Sequence, residues 1–390
     1  MFRNATMGSM FAGSAIVLAV AALSPRASGQ TFVDVNVNVN SGRHGGDVDF
    51  EVFYDELSPH GDWFQLPSYG WVWTPRLVEV DWRPYTHGRW IYTDYGWTWE
   101  SKHEWGWAPF HYGRWFFEPR YGWVWVPGTE WAPAWVTWRR GSDYVGWAPL
   151  PPEARYSNLS IDFGGFSVET VIAEHAWSFV EPRYILEPDI RHRCVVPARN
   201  ITLVRSTQPV TRHVSIEGRI GDFSIDIDFV ERYVGRPVQR VRVIDVDPGV
   251  RDRRSYVRDN DFYAYRPRIR KANVNTQPRV IGSPKRVVGV DDNPDWYRAR
   301  ERELESRREE DRRTLIRDQE REWNERGRGP DADNIRRRQA QEKEALDRQY
   351  KIKKSVIEQK NERQMQDKKE RRSEPEGRGG SRTKKAKAKE

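Results

Sequence analysis

Sixteen of the chain's 19 tryptophans fall between residues 57 and 152, and they recur on a fixed spacing. Three elements, Tyr69-Gly70-Trp71-Val72-Trp73-Thr74-Pro75, Tyr95-Gly96-Trp97-Thr98-Trp99 and Tyr121-Gly122-Trp123-Val124-Trp125-Val126-Pro127, start 26 residues apart, at 69, 95 and 121. A constant period marks repeated supersecondary units. Each element follows a shorter one, Gly61-Asp62-Trp63, Gly88-Arg89-Trp90 or Gly113-Arg114-Trp115, and turn residues lie between the two. That order predicts β-hairpins, with Gly70, Gly96 and Gly122 supplying the positive φ of a tight or bulged turn. Side chains alternate across a strand, so Trp71 with Trp73, Trp97 with Trp99, and Trp123 with Trp125 share a face, and Val72, Thr98 and Val124 share the other. Between hairpins stand Trp82-Arg83-Pro84, Trp107-Ala108-Pro109, Trp131-Ala132-Pro133 and Trp147-Ala148-Pro149, where proline ends ladder pairing.

The repeat resembles a family of exported bacterial proteins of uncharacterised function, built on recurring Tyr-Gly-Trp-x-Trp-x-Pro and Gly-Arg-Trp elements. The stretches starting at 69, 87, 112 and 144 carry the resemblance, and those at 176 and 236 are similar to what accompanies such repeats. It covers about residues 55 to 250. It implies an exported, mostly β protein and brings no catalytic residues with it.

Export is also read from the start of the chain. Arg3 precedes an apolar run over 11–23, and Ala27-Ser28-Gly29 offers small residues at a cleavage site before Gln30. This is the pattern of a secretory signal peptide over 1–29, and the run is shorter than the roughly 20 residues that span a bilayer. The sole cysteine, Cys194, excludes an internal disulfide framework and any site that needs two thiolates. The expected location is the periplasm or the exterior, with no transmembrane segment in the mature chain.

The fold class expected is mainly β: Trp-rich antiparallel hairpin repeats over 55–152, a second small β domain over 153–250, then a charged α-helical tail. Residues 30–54 read as a leader with one short strand, since 33–40 alternate apolar and polar strictly. In the second domain, short β-rich runs at 159–163, 201–204, 223–229 and 238–246 are separated by turn residues, and 230–234 has room for one helical turn. Residues 251–293 read as a linker. Asn293-Pro294 then opens a helix that Gly327-Arg328-Gly329-Pro330 stops, and a second runs to about 372. Charged residues are 31% of the chain, and the tail holds helix-compatible i,i+4 pairs at Glu303/Arg307, Glu309/Arg313, Glu322/Arg326 and Glu344/Arg348. Its apolar residues are sparse and keep no sustained heptad, so an exposed charged helix is expected more than a regular coiled coil, with self-association through the tail as a further expectation. Residues 373–390 are basic and disordered by composition.

Indole faces stack on sugar rings and attract cations. Trp71, Trp73, Trp97, Trp99, Trp123 and Trp125, with Arg89 and Arg114 beside them, are therefore the candidate ligand-binding residues, and envelope polysaccharide or another anionic polymer is the candidate partner. The competing assignment is that these indoles form the core, each burying about 150–250 Å². Its test is the row that Trp71, Trp97 and Trp123 form if successive hairpins stack. The eight histidines include no i,i+4 pair, and neither a nucleophile elbow nor a phosphate-binding glycine loop occurs. No metal, cofactor or catalytic residue is expected. The function expected is a non-enzymatic binding or scaffold protein of the cell envelope. The alternative is a carbohydrate-active hydrolase that uses the Trp face for substrate, its carboxylates hidden among Asp94, Glu104, Glu118 and Glu130.

Overall fold

The computed structural model describes residues 47–157, 160–216, 218–247, 249, 252–270 and 295–373. The export signal, the alternating stretch 33–40, the segment 271–294 with its Asn293 cap, and the basic tail beyond 373 lie outside the described residues. Strand β1 (Asp47–Asp49) and helix α1 (Glu51–Leu57) come first. Four hairpins follow: β2 (Gly61–Leu66) with β3 (Gly70–Pro75), β4 (Gly88–Thr93) with β5 (Gly96–Ser101), β6 (Arg114–Glu118) with β7 (Gly122–Val126), and β8 (Val136–Arg140) with β9 (Val145–Pro149).

In each hairpin a tryptophan faces a tryptophan across the ladder: Trp63 and Trp73, Trp90 and Trp99, Trp115 and Trp125, Trp138 and Trp147. Aromatic pairs opposite one another favour antiparallel register, which is why the short Gly-x-Trp elements find their longer partners. The fourth hairpin departs from expectation. Trp147-Ala148-Pro149 does not separate hairpins; it lies in β9, with Pro149 as the last paired residue, where a missing N–H does least harm.

After β9 come β10 (Arg155–Ser157), β11 (Ser160–Asp162), α2 (Val168–Val171), β12 (Ser178–Val180), α3 (Asn200–Ser206), β13 (Gln208–Pro209), β14 (His213–Ile216), β15 (Arg219–Asp222), α4 (Ile227–Val234) and β16 (Arg240–Asp245). Then follow β17 (Tyr256–Arg258), β18 (Asp261–Ala264), β19 (Arg268–Arg270), α5 (Asp295–Arg326) and α6 (Ala332–Ser373). The molecule is mostly β sheet around tryptophan clusters, with two long helices at the C-terminal end.

The hairpins do not stack in file. The first and third share a four-stranded sheet, β2-β3-β7-β6, joined where Trp73 meets Trp125. The second lies inside a seven-stranded sheet, β14-β15-β5-β4-β16-β18-β17, and the fourth is the middle of β12-β9-β8-β13. Trp71 and Trp123 therefore belong to one sheet and Trp97 to another, and the three form no single row.

Strands from 153–250 take the free edges of the hairpins: β15 and β16 run parallel to β5 and β4, while β12 and β13 pair antiparallel with β9 and β8. The second β region and the repeat thus share sheets. Part of the expected linker is also paired, since β18 lies parallel to β16 and β19 lies parallel to β1. Two runs read as strands are helical. Residues 201–204 lie in α3, which continues a 3-10 turn at Pro197–Arg199 and is fastened by Asn200 Nδ2 donating to Glu174 O and Trp177 O. Residues 227–229 open α4, which ends at Gly235 in the left-handed region.

Both faces of the hairpins are covered. The main core joins Trp73, Trp97, Trp99, Trp125, Trp138 and Trp147 with α1 and with Trp177 and Phe179 of the later strands. On the other face, Val72, Val124 and Val126 form their own cluster under Phe64, Tyr69 and Phe116. Helices α5 and α6 form an antiparallel pair, since Arg308 meets Asp347, Gln319 meets Gln339 and Arg338 meets Glu322. Their apolar residues Leu304, Leu315, Leu346, Tyr350 and Ile357 close over Val196 and Ala198 of the β body. Of the expected helical ion pairs, Glu309/Arg313 and Glu344/Arg348 form; Glu322 and Arg307 reach other partners.

Candidate functional site

The β2-β3-β7-β6 sheet and helices α5 and α6 border a partly open cavity of about 410 Å³. Three pieces of chain make most of its walls, and Asp62, Phe64, Pro197, Trp296 and Arg300 add to them. The first is the stretch 76–83 that leaves β3, clamped from both sides: Arg191 pairs with Glu79 at 2.5 Å and with Asp81 at 3.3 Å, while Arg300 donates to Val78 O at 2.8 Å and Val80 N donates to Glu303 at 3.3 Å. The second is the β6–β7 turn region, with Phe117, Tyr121 and Trp123, against which the His175 ring stands edge-on, 4.9 Å from Phe117. The third is one face of α6. Gln349, Lys353, Val356, Lys360 and Arg363 follow one another at steps of three or four, so a helix presents all five on a single stripe.

The wall is apolar and its charges are mainly positive. Trp82, Phe117, Trp123, Trp296, Val356 and Ile357 provide hydrophobic surface. The acids Asp62, Glu79 and Asp81 are already engaged by Arg76 and Arg191. Lys353 sits with Nζ 4.4 Å from the Tyr350 ring centre, and burial lowers its pKa against the pull of Asp81 and Asp311. Burial brings Lys360 down to about 8, partly offset by Asp62. Arg363 lies over the Tyr121 ring at 4.0 Å and donates to Arg120 O. Behind the wall, Tyr350 donates to Asp311 at 2.8 Å, and burial raises that carboxyl. His175 is held down to about 4, by burial first and by Arg83 and Lys353 second. Its Nε2 is buried with no hydrogen-bond partner, as is Arg83 Nε.

The residues named as ligand-binding from sequence are placed elsewhere, except one. Trp73, Trp97, Trp99 and Trp125 are fully buried, where no sugar ring can reach them. Trp123 is 8% exposed and contributes an edge to the cavity; Trp71 is half-buried on β3. Arg89 pairs with Glu100 across the second hairpin instead of stacking on an indole. Arg114 does stack, with its guanidinium carbon 3.5 Å from the Trp135 ring centre, and burial lowers its pKa to about 10. Sequence reasoning missed Trp82, Arg83, His175, Lys353, Lys360 and Arg363. The α6 stripe was the available signal, a three-four spacing in which two lysines and an arginine flank Val356.

Chemically, an apolar wall edged by cations suits a ligand with an apolar body and a negative end. No group of three or more His, Cys, Asp or Glu side chains able to hold a metal ion occurs among the described residues. No helix among them is long and apolar enough to cross a membrane. No curated protein and no solved structure matches the chain. Residues 54–154, which hold the four tryptophan hairpins, match a family of unknown function, DUF6600.

Proposed function

We propose that the protein is an exported, non-enzymatic binding or scaffold protein of the cell envelope, with the tryptophan body as a rigid frame and the cavity beneath α6 as its binding site. The observation that supports this reading most is the cavity itself, an apolar chamber whose acids are paired internally and whose lysines are not. Its volume falls in the range of small-molecule sites, about 300–1,000 Å³. Of the six indoles first considered for a polysaccharide platform, only Trp71 is half-exposed, so ligand capture is assigned to the cavity. Self-association through the tail has little apolar surface left, because Leu304, Leu315 and Leu346 are used within the molecule.

Native mass spectrometry of the protein taken from its own envelope fraction tests the reading. The expected result is a folded chain beginning at Gln30 that carries a non-covalent small molecule, and that releases no sugar from envelope polysaccharide. Sugar release would restore the hydrolase alternative, and a chain still beginning at Met1 would remove export.

A further inference from the structure

The charges around the cavity narrow its ligand. Six cationic side chains line it, Arg76, Arg83, Arg300, Lys353, Lys360 and Arg363, against three acids, Asp62, Glu79 and Asp81. The acids are satisfied by Arg76 and Arg191, and Arg300 by Glu303. Lys353, Lys360 and Arg363 make no salt bridge among the described residues; Lys353 lies over the Tyr350 ring, and Arg363 lies over the Tyr121 ring and donates to the Gln359 and Arg120 carbonyls. Lys353 and Lys360 are half-buried, and burial lowers the pKa of both against the pull of Asp81 and Asp311 on the first and of Asp62 on the second; among the described residues no acid is close enough to bridge either of them. A bound anion would fill that role. His175 also lines the cavity, and its Nε2 is buried without a hydrogen-bond partner.

We propose that the cavity binds an anionic amphiphile, a molecule with one carboxylate or phosphate head and one apolar body, the head meeting Lys353 and Lys360 and the body lying along Trp82, Trp123 and Val356. This rests on reading the cavity as the protein's binding site. Trp82 and Trp123 come from the β body while Val356 and both lysines come from α6, so the ligand touches both and ties helix to sheet.

The test is calorimetric titration of the full mature chain with four molecules of one tail length: dodecanoate, dodecyl phosphate, dodecyl maltoside and dodecyltrimethylammonium, each below its critical micelle concentration. One or both anions should bind one-to-one, at least about tenfold tighter than the neutral and cationic members, and more weakly as salt is added. Preference between the two anions separates a carboxylate from a phosphate head. In Lys353→Gln/Lys360→Gln, the preference for anions should vanish while the maltoside affinity stays unchanged, with the melting curve reporting that the variant is folded. If that variant does not fold, the head-group series on the unaltered chain decides alone. Equal affinity for all four, or preference for the trimethylammonium, overturns the proposal. A co-purified ligand of other chemistry in the native mass spectrum overturns this ligand class and leaves the cavity as a binding site, whereas a chain that carries no ligand and binds none of the four overturns both.

Discussion

An indole in a core brings one N–H that calls for an acceptor; backbone carbonyls meet several here, while the Nε1 atoms of Trp63, Trp90, Trp99, Trp131 and Trp177 are buried without a partner. Trp115 donates to Pro109 O at 2.8 Å, Trp147 to Tyr85 O at 2.9 Å, Trp125 to Tyr112 O at 2.7 Å and Trp73 to Leu57 O at 3.0 Å. The carbonyls of Tyr85, Pro109 and Tyr112 lie in irregular stretches near the Trp-x-Pro elements, where no ladder uses them, and that of Leu57 ends α1. Trp97 reaches further, donating to Ile225 O at 2.8 Å. Trp97→Ala is expected to lower stability by about 3–5 kcal/mol, whereas Trp71→Ala, at a half-buried position, should cost under about 1 kcal/mol. Urea unfolding of the two variants checks this, and equal losses would refute the split between them. Histidines act through protons. Burial holds His111 and His175 down to about 4, below the ordinary 6.5, with His111 Nδ1 donating to Ala132 O at 3.0 Å. The unfolded chain takes up these protons near 6.5 and the folded chain only near 4, so stability should fall as pH drops through that window, by up to roughly 1.4 kcal/mol per pH unit for each histidine. A urea midpoint that stays level between about pH 7 and about pH 5 would contradict it.

Elements differ in how much of their reason is local. Hairpin turns and the ends of α5 and α6 were legible, because glycine at a left-handed turn and the Gly327-to-Pro330 break act within a few residues. The helical fate of 201–204 and of 227–229 was not, since β-branched or alternating residues there are overruled by a preceding 3-10 turn and by packing on the core. Two turn glycines separate local from tertiary constraint. Gly70 and Gly96 have φ of +70° and +78°, yet a Cβ on Gly70 meets nothing within 4 Å, while one on Gly96 comes within 1.8 Å of Asp222 O. Gly70→Ala should therefore cost only the left-handed strain, about 1–2 kcal/mol, and Gly96→Ala distinctly more, because it pushes β15 from β5. Thermal melts of the pair decide it, and matched losses would mean the contact is yielding. For the helical pair, an isolated 295–373 segment should show less helix by circular dichroism than the same residues contribute in the full chain, and less again in salt, since Val196 and Ala198 of the β body complete its apolar cluster. Full, salt-insensitive helicity in isolation would contradict this.

Across the whole molecule, the segment that matches the family shares its sheets with later strands. Residues 54–154 contribute four hairpins, but β12, β13, β15 and β16 cover their edges, and Trp138 Nε1 finds its acceptor on Asp222 at 2.7 Å. A 54–154 fragment is expected to melt without a cooperative transition; a sharp melt with native near-ultraviolet dichroism would show that the hairpins suffice. The cavity was hidden in the sequence for the same reason, as its walls come from residues near 80, near 120, at 175 and near 356, which no short motif connects.

The pairing of β1 with β19 joins stretches 221 residues apart, sealed by Arg270 against Asp49 at 2.9 Å. A chain that emerges amino end first makes β1 early and then holds it without its mate until β19 appears. Ordering so long a loop is slow, and contacts this distant reward the chain only late. The first strand among the described residues to be synthesised is thus among the last to be seated, a schedule that keeps both ends of the β body pliable until the chain is nearly complete.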